Sequence, residues 1–207
     1  PVQVTYEPTV YLSDIIDITA DPGAGIFALS ASGVVYNWAT NTRNATQLFT
    51  PASFGGERVM RLAAGNGHRL ALTVSGRVWA WGSNAYGQLG NNTSVDSASP
   101  VRVKEPLNGS NERQQLDAVV MIAAGGGTSA ALRSDGTIVT WGLNDNGQIG
   151  YGQAGTGANN KDTPMYVCVN PASAVQVTLS HVVDPTGKND RVDVYLRGAT
   201  AIDLSER

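Results

Sequence analysis

The sequence predicts an all-β chain: a partial β-propeller of about three four-stranded blades, with a C-terminal β-hairpin region. Three observations predict it. One sixteen-residue pattern occurs three times without a gap, as IFALSASGVVYNWATN (26–41), RLALTVSGRVWAWGSN (69–84) and SAALRSDGTIVTWGLN (129–144), offset by 43 and then by 60 residues. Self-similarity at such spacing marks propellers, solenoids and arrays. Each copy places a turn glycine between two apolar runs, at Gly33, Gly76 and Gly136. The runs after these glycines are apolar on both faces, where a sheet with one wetted face would alternate more cleanly.

Taken in chain order, residues 1–14 read as an N-terminal strand or arm, because Val2-Gln3-Val4-Thr5-Tyr6 alternates with the period of a β-strand. This strand is expected to pair with another sheet edge. Blades follow near 15–57, 58–104 and 118–169, within a repeat region of 15–170. In the second copy Val59–Gly65 reads as a first strand, Arg69–Thr73 as a second and Arg77–Trp81 as a third, with a fourth near Val101–Val103 after a polar loop. The Ser75-Gly76 step, matched by Ser32-Gly33 and Asp135-Gly136, signals a tight hairpin of the primed type, because glycine accepts the positive φ such turns need. Gly76 and Gly136 are therefore structural glycines expected at positive φ.

Within the third strand Val78 and Ala80 face one way, and Trp79 and Trp81 the other. Val35–Trp38 and Ile138–Trp141 follow suit. Sheets buried on both sides suit blades stacked around an axis, and Trp38, Trp81 and Trp141 are expected to be structural. Ala63-Ala64-Gly65 and Ala123-Ala124-Gly125 fit where blades crowd together. Residues 171–207 read as a hairpin or a degenerate blade: Val175–Leu179 and Val192–Leu196 alternate across a connection at Asp184–Asp190, but lack Trp-Gly and Ala-Ala-Gly.

The long segments AAGNGHRLALTVSGRVWAWGSNAYGQLG (63–90) and AAGGGTSAALRSDGTIVTWGLNDNGQIG (123–150) resemble the regulator of chromosome condensation repeat. The resemblance covers roughly residues 15–168. The first copy departs from it: Ala39 replaces the glycine after tryptophan, and no Gly-Gln-Leu-Gly follows Asn41. The resemblance implies a ring of about seven blades, more than 207 residues supply. An open arc leaves exposed sheet edges that proteins normally cover or pair. The chain is thus expected to be a fragment, to be capped by its own terminal strands, or to act as an oligomer or a component of a complex.

Composition narrows the partners. The chain has 24 glycines, 15% charged residues and a net charge of −3, and its lysines and arginines are scattered. That is no basic footprint for nucleic acid. No stretch of about 18 apolar residues exists, so no membrane span is expected. No signal-peptide pattern opens the chain, and Pro1 in place of methionine implies processing or trimming. Low lysine content and Asn/Thr/Ser/Gly-rich loops suggest an extracellular or particle-surface protein.

Chemistry-bearing residues are few, and no catalytic, cofactor-binding or metal-binding residues are expected. The single cysteine, Cys168, has no internal disulfide partner and reads as a small buried hydrophobe. His68 and His181, the only histidines, sit in no catalytic motif and with one cysteine do not suggest zinc. His68 occupies a position where the resembled family often has histidine, and its ring is expected to bond a neighbouring blade's backbone. Asp145-Asn146-Gly147 and Asn84–Gly87 raise a calcium question, but Asn and Asp more simply cap turns. Gly125-Gly126-Gly127 lacks the pattern of a phosphate loop. Asn44-Ala45-Thr46, Asn91-Asn92-Thr93, Asn92-Thr93-Ser94 and Asn108-Gly109-Ser110 are sequons that matter only in a eukaryotic secretory pathway.

Three functional classes follow. The first is a non-enzymatic protein-interaction or structural module, a building block of an assembly such as a virion or a cell-surface structure. Its partner is a protein, self or host, and its candidate contact loops carry Asn66, His68, Tyr86, Thr128 and Asp145. The resemblance implies the other two: a nucleotide-exchange or chromatin-binding regulator, and a secreted inhibitor of β-lactamases built on similar blades. The inhibitor class would use aromatics on the loops after the Ala-Ala-Gly strands, and Asn66-Gly67-His68 and Gly126-Gly127-Thr128 contain none.

Overall fold

Three consecutive four-stranded antiparallel meanders form the body of the protein. The computed structural model describes residues 5–6, 10–39, 42, 44–106, 114–151, 160–167, 176–182 and 191–197. Two short strands, β1 (Thr5–Tyr6) and β2 (Val10–Tyr11), come first. Blade 1 is β3 (Ile15–Asp21), β4 (Gly25–Ser30), β5 (Val35–Trp38) and β6 (Thr46–Phe49). Blade 2 is β7 (Val59–Ala64), β8 (His68–Thr73), β9 (Val78–Gly82) and β10 (Ser97–Arg102). Blade 3 is β11 (Val119–Gly125), β12 (Thr128–Arg133), β13 (Ile138–Gly142) and β14 (Lys161–Tyr166). A separate unit, Cys168–Arg207, contains the antiparallel pair β15 (Gln176–Val182) and β16 (Arg191–Arg197). Cys168, Val175 and the 184–190 connection lie outside the described residues.

The N-terminal strand corrects an expectation. Thr5 and Tyr6 pair with Tyr11 and Val10 in a two-stranded sheet of their own, not with a blade edge. A local hairpin closes a short loop, which costs less chain entropy than reaching a remote strand. Residues 1–4 lie outside the described residues.

The blade hairpins form where expected but with another turn. The Gly76 N–H donates to Thr73 O at 3.0 Å, and the Thr73 N–H donates to Arg77 O at 2.9 Å. Gly76 has φ 79°, while Val74 and Ser75 keep negative φ. This is a type I turn closed by a glycine bulge, a three-residue loop that needs one positive φ where a type I′ turn needs two. Blades 1 and 3 repeat it at Gly33 and Gly136, both with φ 85°.

The first strands of neighbouring blades, β3 with β7 and β7 with β11, pack together. Each junction encloses one apolar cluster. Between blades 1 and 2 lie Phe27, Leu29, Val35, Phe54, Val59, Leu62, Ala71 and Trp81. Between blades 2 and 3 lie Leu70, Leu72, Val78, Ala80, Leu89, Leu116, Val139 and Trp141, among others. Blade 2 is therefore buried on both faces, and the alternation in β9 assigns them: Trp79 and Trp81 face blade 1, Val78 and Ala80 face blade 3. Trp81 meets Phe49 edge-on at 5.3 Å, and Phe54, on the 3-10 turn Pro51–Phe54, meets Trp79 at 6.0 Å.

The glycine after tryptophan has a steric cause. A Cβ on Gly82 or Gly142 would lie 2.3 Å from Gly67 O or Gly127 O across the strand pair. Blade 1 has Ala39 there, and the close approach falls to Gly25 on the facing strand, where a Cβ would lie 2.3 Å from Trp38 O. The glycine has moved across the pair, and the crowding remains.

Candidate protein-interaction surface

At the end of the blades where β7 runs into β8 and β11 into β12, loops from all three blades are tied into one row. Asp21, at the end of β3, accepts hydrogen bonds from Gly23 N at 2.8 Å and Gly67 N at 3.1 Å. Its carboxylate forms an ion pair with Arg69 of β8 at 2.6 Å, almost wholly shielded from solvent. The Arg69 guanidinium also lies 4.6 Å over the Phe27 ring, and burial lowers its pKa against the opposing effect of Asp21. The next step in the row is a backbone bond, Asn66 N to Gly126 O at 2.7 Å.

His68 lies under this row, fully buried. Its Nε2 is 2.8 Å from Ser129 Oγ, Ser129 Oγ donates to Gln88 O at 2.8 Å, and Trp141 Nε1 donates to the same oxygen at 2.8 Å. With the hydroxyl proton given to Gln88 O, His68 Nε2 carries the proton it donates to Ser129, and Nδ1 is a bare buried acceptor. Burial pushes the imidazole down to about 4, Asp21 acting to raise it and Arg69 to lower it. A histidine beside a serine can mark a nucleophile. Here the serine proton is committed to a backbone carbonyl inside the core, and the pair joins blades 2 and 3.

The Gly-Gln-Leu-Gly segments organise the adjoining loops. Leu89 N donates to Asn84 Oδ1 at 2.9 Å, while Asn84 Nδ2 donates to Thr93 O at 2.8 Å and Val95 O at 3.1 Å. Gln88 Oε1 accepts from Tyr86 N at 2.9 Å. Blade 3 repeats the arrangement, with Ile149 N on Asn144 Oδ1 at 3.0 Å and Asn146 N on Gln148 Oε1 at 2.8 Å. Asn84 and Asn144 are fully buried and serve the backbone. No group of three or more His, Cys, Asp or Glu among the described residues could hold a metal ion.

The candidate contact residues thus separate. Asn66, Tyr86 and Asp145 are exposed and Thr128 is half-buried, its Oγ1 donating to Leu143 O at 3.0 Å. His68 offers no side chain to a partner, since the blade 2–3 junction uses it. Its bond goes to a neighbouring side chain, not to the expected backbone, because the facing β12 residue is the hydroxyl-bearing Ser129. Trp81 and Trp141 are buried and Trp38 is half-buried. One placement was not visible in the sequence: Tyr86 lies against the Gly126–Gly127 loop, where a Cβ on Gly127 would be 3.0 Å from its ring. The loop without an aromatic borrows one from its neighbour.

Comparison with known proteins agrees with this architecture. Sequence models of the regulator of chromosome condensation (RCC1) repeat match residues 75–132, and 61–88 with 119–148. The ultraviolet-B receptor UVR8 of Arabidopsis thaliana is 34% identical over 135 residues, covering 60% of this chain and 29% of that protein. The probable E3 ubiquitin-protein ligase HERC4 of Homo sapiens is 32% identical over 155 residues, 70% of this chain and 14% of that protein. The chain thus spans less than a third of the length of these relatives. Among solved structures, Prp20p from Saccharomyces cerevisiae, described with its binding to Gsp1p and histones, superposes with a TM-score of 0.56 at 24% identity, over 74% of this chain and 36% of that one. Human WBSCR16 superposes with a TM-score of 0.58 at 20% identity, over 86% and 50%.

Proposed function

Residues 61–148 of this chain carry regulator of chromosome condensation repeats, folded as blades 2 and 3 of a propeller arc, and from that premise we propose that the protein is a non-enzymatic protein-interaction module. It binds its partner through the loops bearing Asn66, Tyr86, Thr128 and Asp145. The observation that carries this reading is Tyr86, 44% exposed and seated against Gly127 beside a loop row fixed by Asp21 and by the Asn66–Gly126 bond. A large aromatic held on rigid backbone loses little entropy when covered, which is the character of an interface hot spot.

The inhibitor class gains from the same tyrosine, because it supplies the aromatic which that class requires beside a post-Ala-Ala-Gly loop. It is a special case of the same surface, with an enzyme as the partner. Particle or extracellular placement rests on composition alone, and nucleotide exchange or chromatin binding on resemblance alone.

The test is affinity capture with the full chain as bait, followed by quantitative binding of the captured partner. Tyr86→Ala should weaken binding by on the order of 30-fold, the size of a hot-spot loss, with an unchanged melting curve. Binding that is indifferent to substitution at all four positions would remove this surface from the mechanism.

A further inference from the structure

An arginine held between an aromatic ring and a carboxylate recurs in this chain. Arg69 lies 4.6 Å over the Phe27 ring and pairs with Asp21 at 2.6 Å. Arg102 lies 5.5 Å over the Trp79 ring and pairs with Asp117 at 2.8 Å. The first arrangement is buried between blades, while the second is at the surface, its aspartate side chain 54% exposed. The chemistry is the same in both. A planar guanidinium stacks on a ring face and still directs its N–H groups at a carboxylate, which the compact ammonium of lysine does less well.

Tyr86 and Asp162 bring a third ring and carboxylate together, where the loops of blades 2 and 3 meet. The Tyr86-Gly87 step is seated between two parts of blade 3. Tyr86 lies against Gly127, and a Cβ on Gly87 would be 2.7 Å from Asp162 N. Asn92 N donates to Asp162 O at 2.8 Å, so the loop and the start of β14 are fixed to each other. Buried Asn84 secures the same loop through Leu89 N and Thr93 O. The Tyr86 side is 44% exposed and Asp162 is half-buried. Among the described residues no arginine or lysine covers the Tyr86 ring or pairs with the Asp162 carboxylate, and the adjacent Lys161 lies 4.6 Å over the ring of Tyr151.

We propose that this site takes an arginine of the partner protein, the guanidinium covering the Tyr86 ring and pairing with the Asp162 carboxylate. The inference rests on the reading of Tyr86 as a contact residue and adds the chemistry of what it contacts. Binding completes between molecules the arrangement that the chain builds within itself at Arg69 and Arg102. The backbone on both sides of the site is already fixed, so the incoming side chain is the main group to be ordered. An exposed ion pair alone contributes little. The ring shields one face of the guanidinium from water and adds its own attraction for the cation.

The test titrates three end-blocked tripeptides, Leu-Arg-Leu, Leu-Lys-Leu and Leu-citrulline-Leu, into the full chain while its backbone amide resonances are followed. The arginine peptide should shift Gly87, Gly127 and Asp162 along one saturation curve. The lysine peptide should bind about threefold more weakly, and the citrulline peptide, close in shape but uncharged, about tenfold more weakly. Asp162→Asn and Tyr86→Leu should each weaken arginine binding by about three- to fivefold with an unchanged melting curve, while Tyr86→Phe, which keeps the ring, should bind like the parent. A citrulline peptide that matches the arginine peptide overturns the proposal. So does an arginine peptide that moves none of these amides up to its solubility limit. The loop-surface reading is judged apart, by the loss at Tyr86→Ala against the captured partner, and it survives either of those results.

Discussion

Arg69 and Asp21 meet at 2.6 Å between blades 1 and 2, whereas blades 2 and 3 are joined by the neutral bond of His68 to Ser129 at 2.8 Å. Arg69 and Ser129 occupy the same register position in their blades, each paired with the second alanine of the first strand, Ala64 or Ala124. One repeat site thus bonds back to the preceding blade by two chemistries. In blade 1 the register position carries the apolar Ile26, paired with Ala20.

Removing one member of the buried pair should be severe. Asp21→Ala leaves the guanidinium without its counter-charge and frees the Gly23 and Gly67 N–H groups, at a cost of about 3–5 kcal/mol. Arg69→Met should cost a similar amount. The double variant Asp21→Ala with Arg69→Met should recover much of the loss, because it strands no buried charge. Urea midpoints for the four proteins check this. Additive losses would show that the two residues act independently.

His68 makes stability depend on pH with a definite sign. An unfolded histidine titrates near 6.5, and the buried ring near 4. Between these values the unfolded chain binds a proton that the folded chain refuses. The contribution is complete above pH 6.5, falls as the pH drops towards 4, and is then spent. At about 1.36 kcal/mol per pH unit the loss is roughly 3 kcal/mol. His68→Gln can still donate to Ser129 but does not titrate. Its stability should decline less than the parent's between about pH 7 and pH 4.5, and parallel declines in chemical denaturation would contradict the buried neutral imidazole.

The strands of blade 2 and their two-sided burial were legible in the sequence because the signal is local. Val78 and Ala80 alternate with Trp79 and Trp81, and a period-2 pattern needs only neighbouring residues to be read. The junction chemistry was not legible. Asp21 and Arg69 are remote in sequence and meet only once β3 packs on β7, and nothing near Gly126 announces that Tyr86 will lie beside it. The turn type was missed for a finer reason: a Ser-Gly step suits both a primed turn and a type I turn with a glycine bulge, and only the φ of Ser75 separates them. Blade 1 matched the repeat poorly because its glycine crosses from the position of Ala39 to Gly25, which preserves the packing and breaks the motif.

The two buried tryptophans should respond differently to phenylalanine. Trp141 Nε1 donates to Gln88 O at 2.8 Å, whereas Trp81 Nε1 is buried without a partner. Trp141→Phe loses a hydrogen bond and a share of the packing, while Trp81→Phe loses packing and relieves an unsatisfied donor. The first should therefore cost about 1–2 kcal/mol more than the second, whereas alanine at either site should cost roughly 3–5 kcal/mol. Equal losses for the two phenylalanine variants would show that the Gln88 bond adds nothing net.

The hairpin glycines share a φ but not a neighbourhood. Gly76 has φ 79° and Gly136 φ 85°, so alanine or valine at either is strained by about 1–3 kcal/mol. A Cβ on Gly136 would meet nothing within 4 Å, but one on Gly76 would lie 3.1 Å from Val119 O and 3.2 Å from Val119 N, backbone atoms at the start of blade 3. The Gly76 carbonyl also accepts from Val119 N at 3.0 Å, so the turn is bonded to the blade it would have to push aside. Gly136→Ala should show the φ strain alone. Gly76→Ala should show that strain plus the displacement of β11, and its thermal midpoint should fall further. Equal shifts for the two variants would mean that the blade 2 turn does not bear on blade 3.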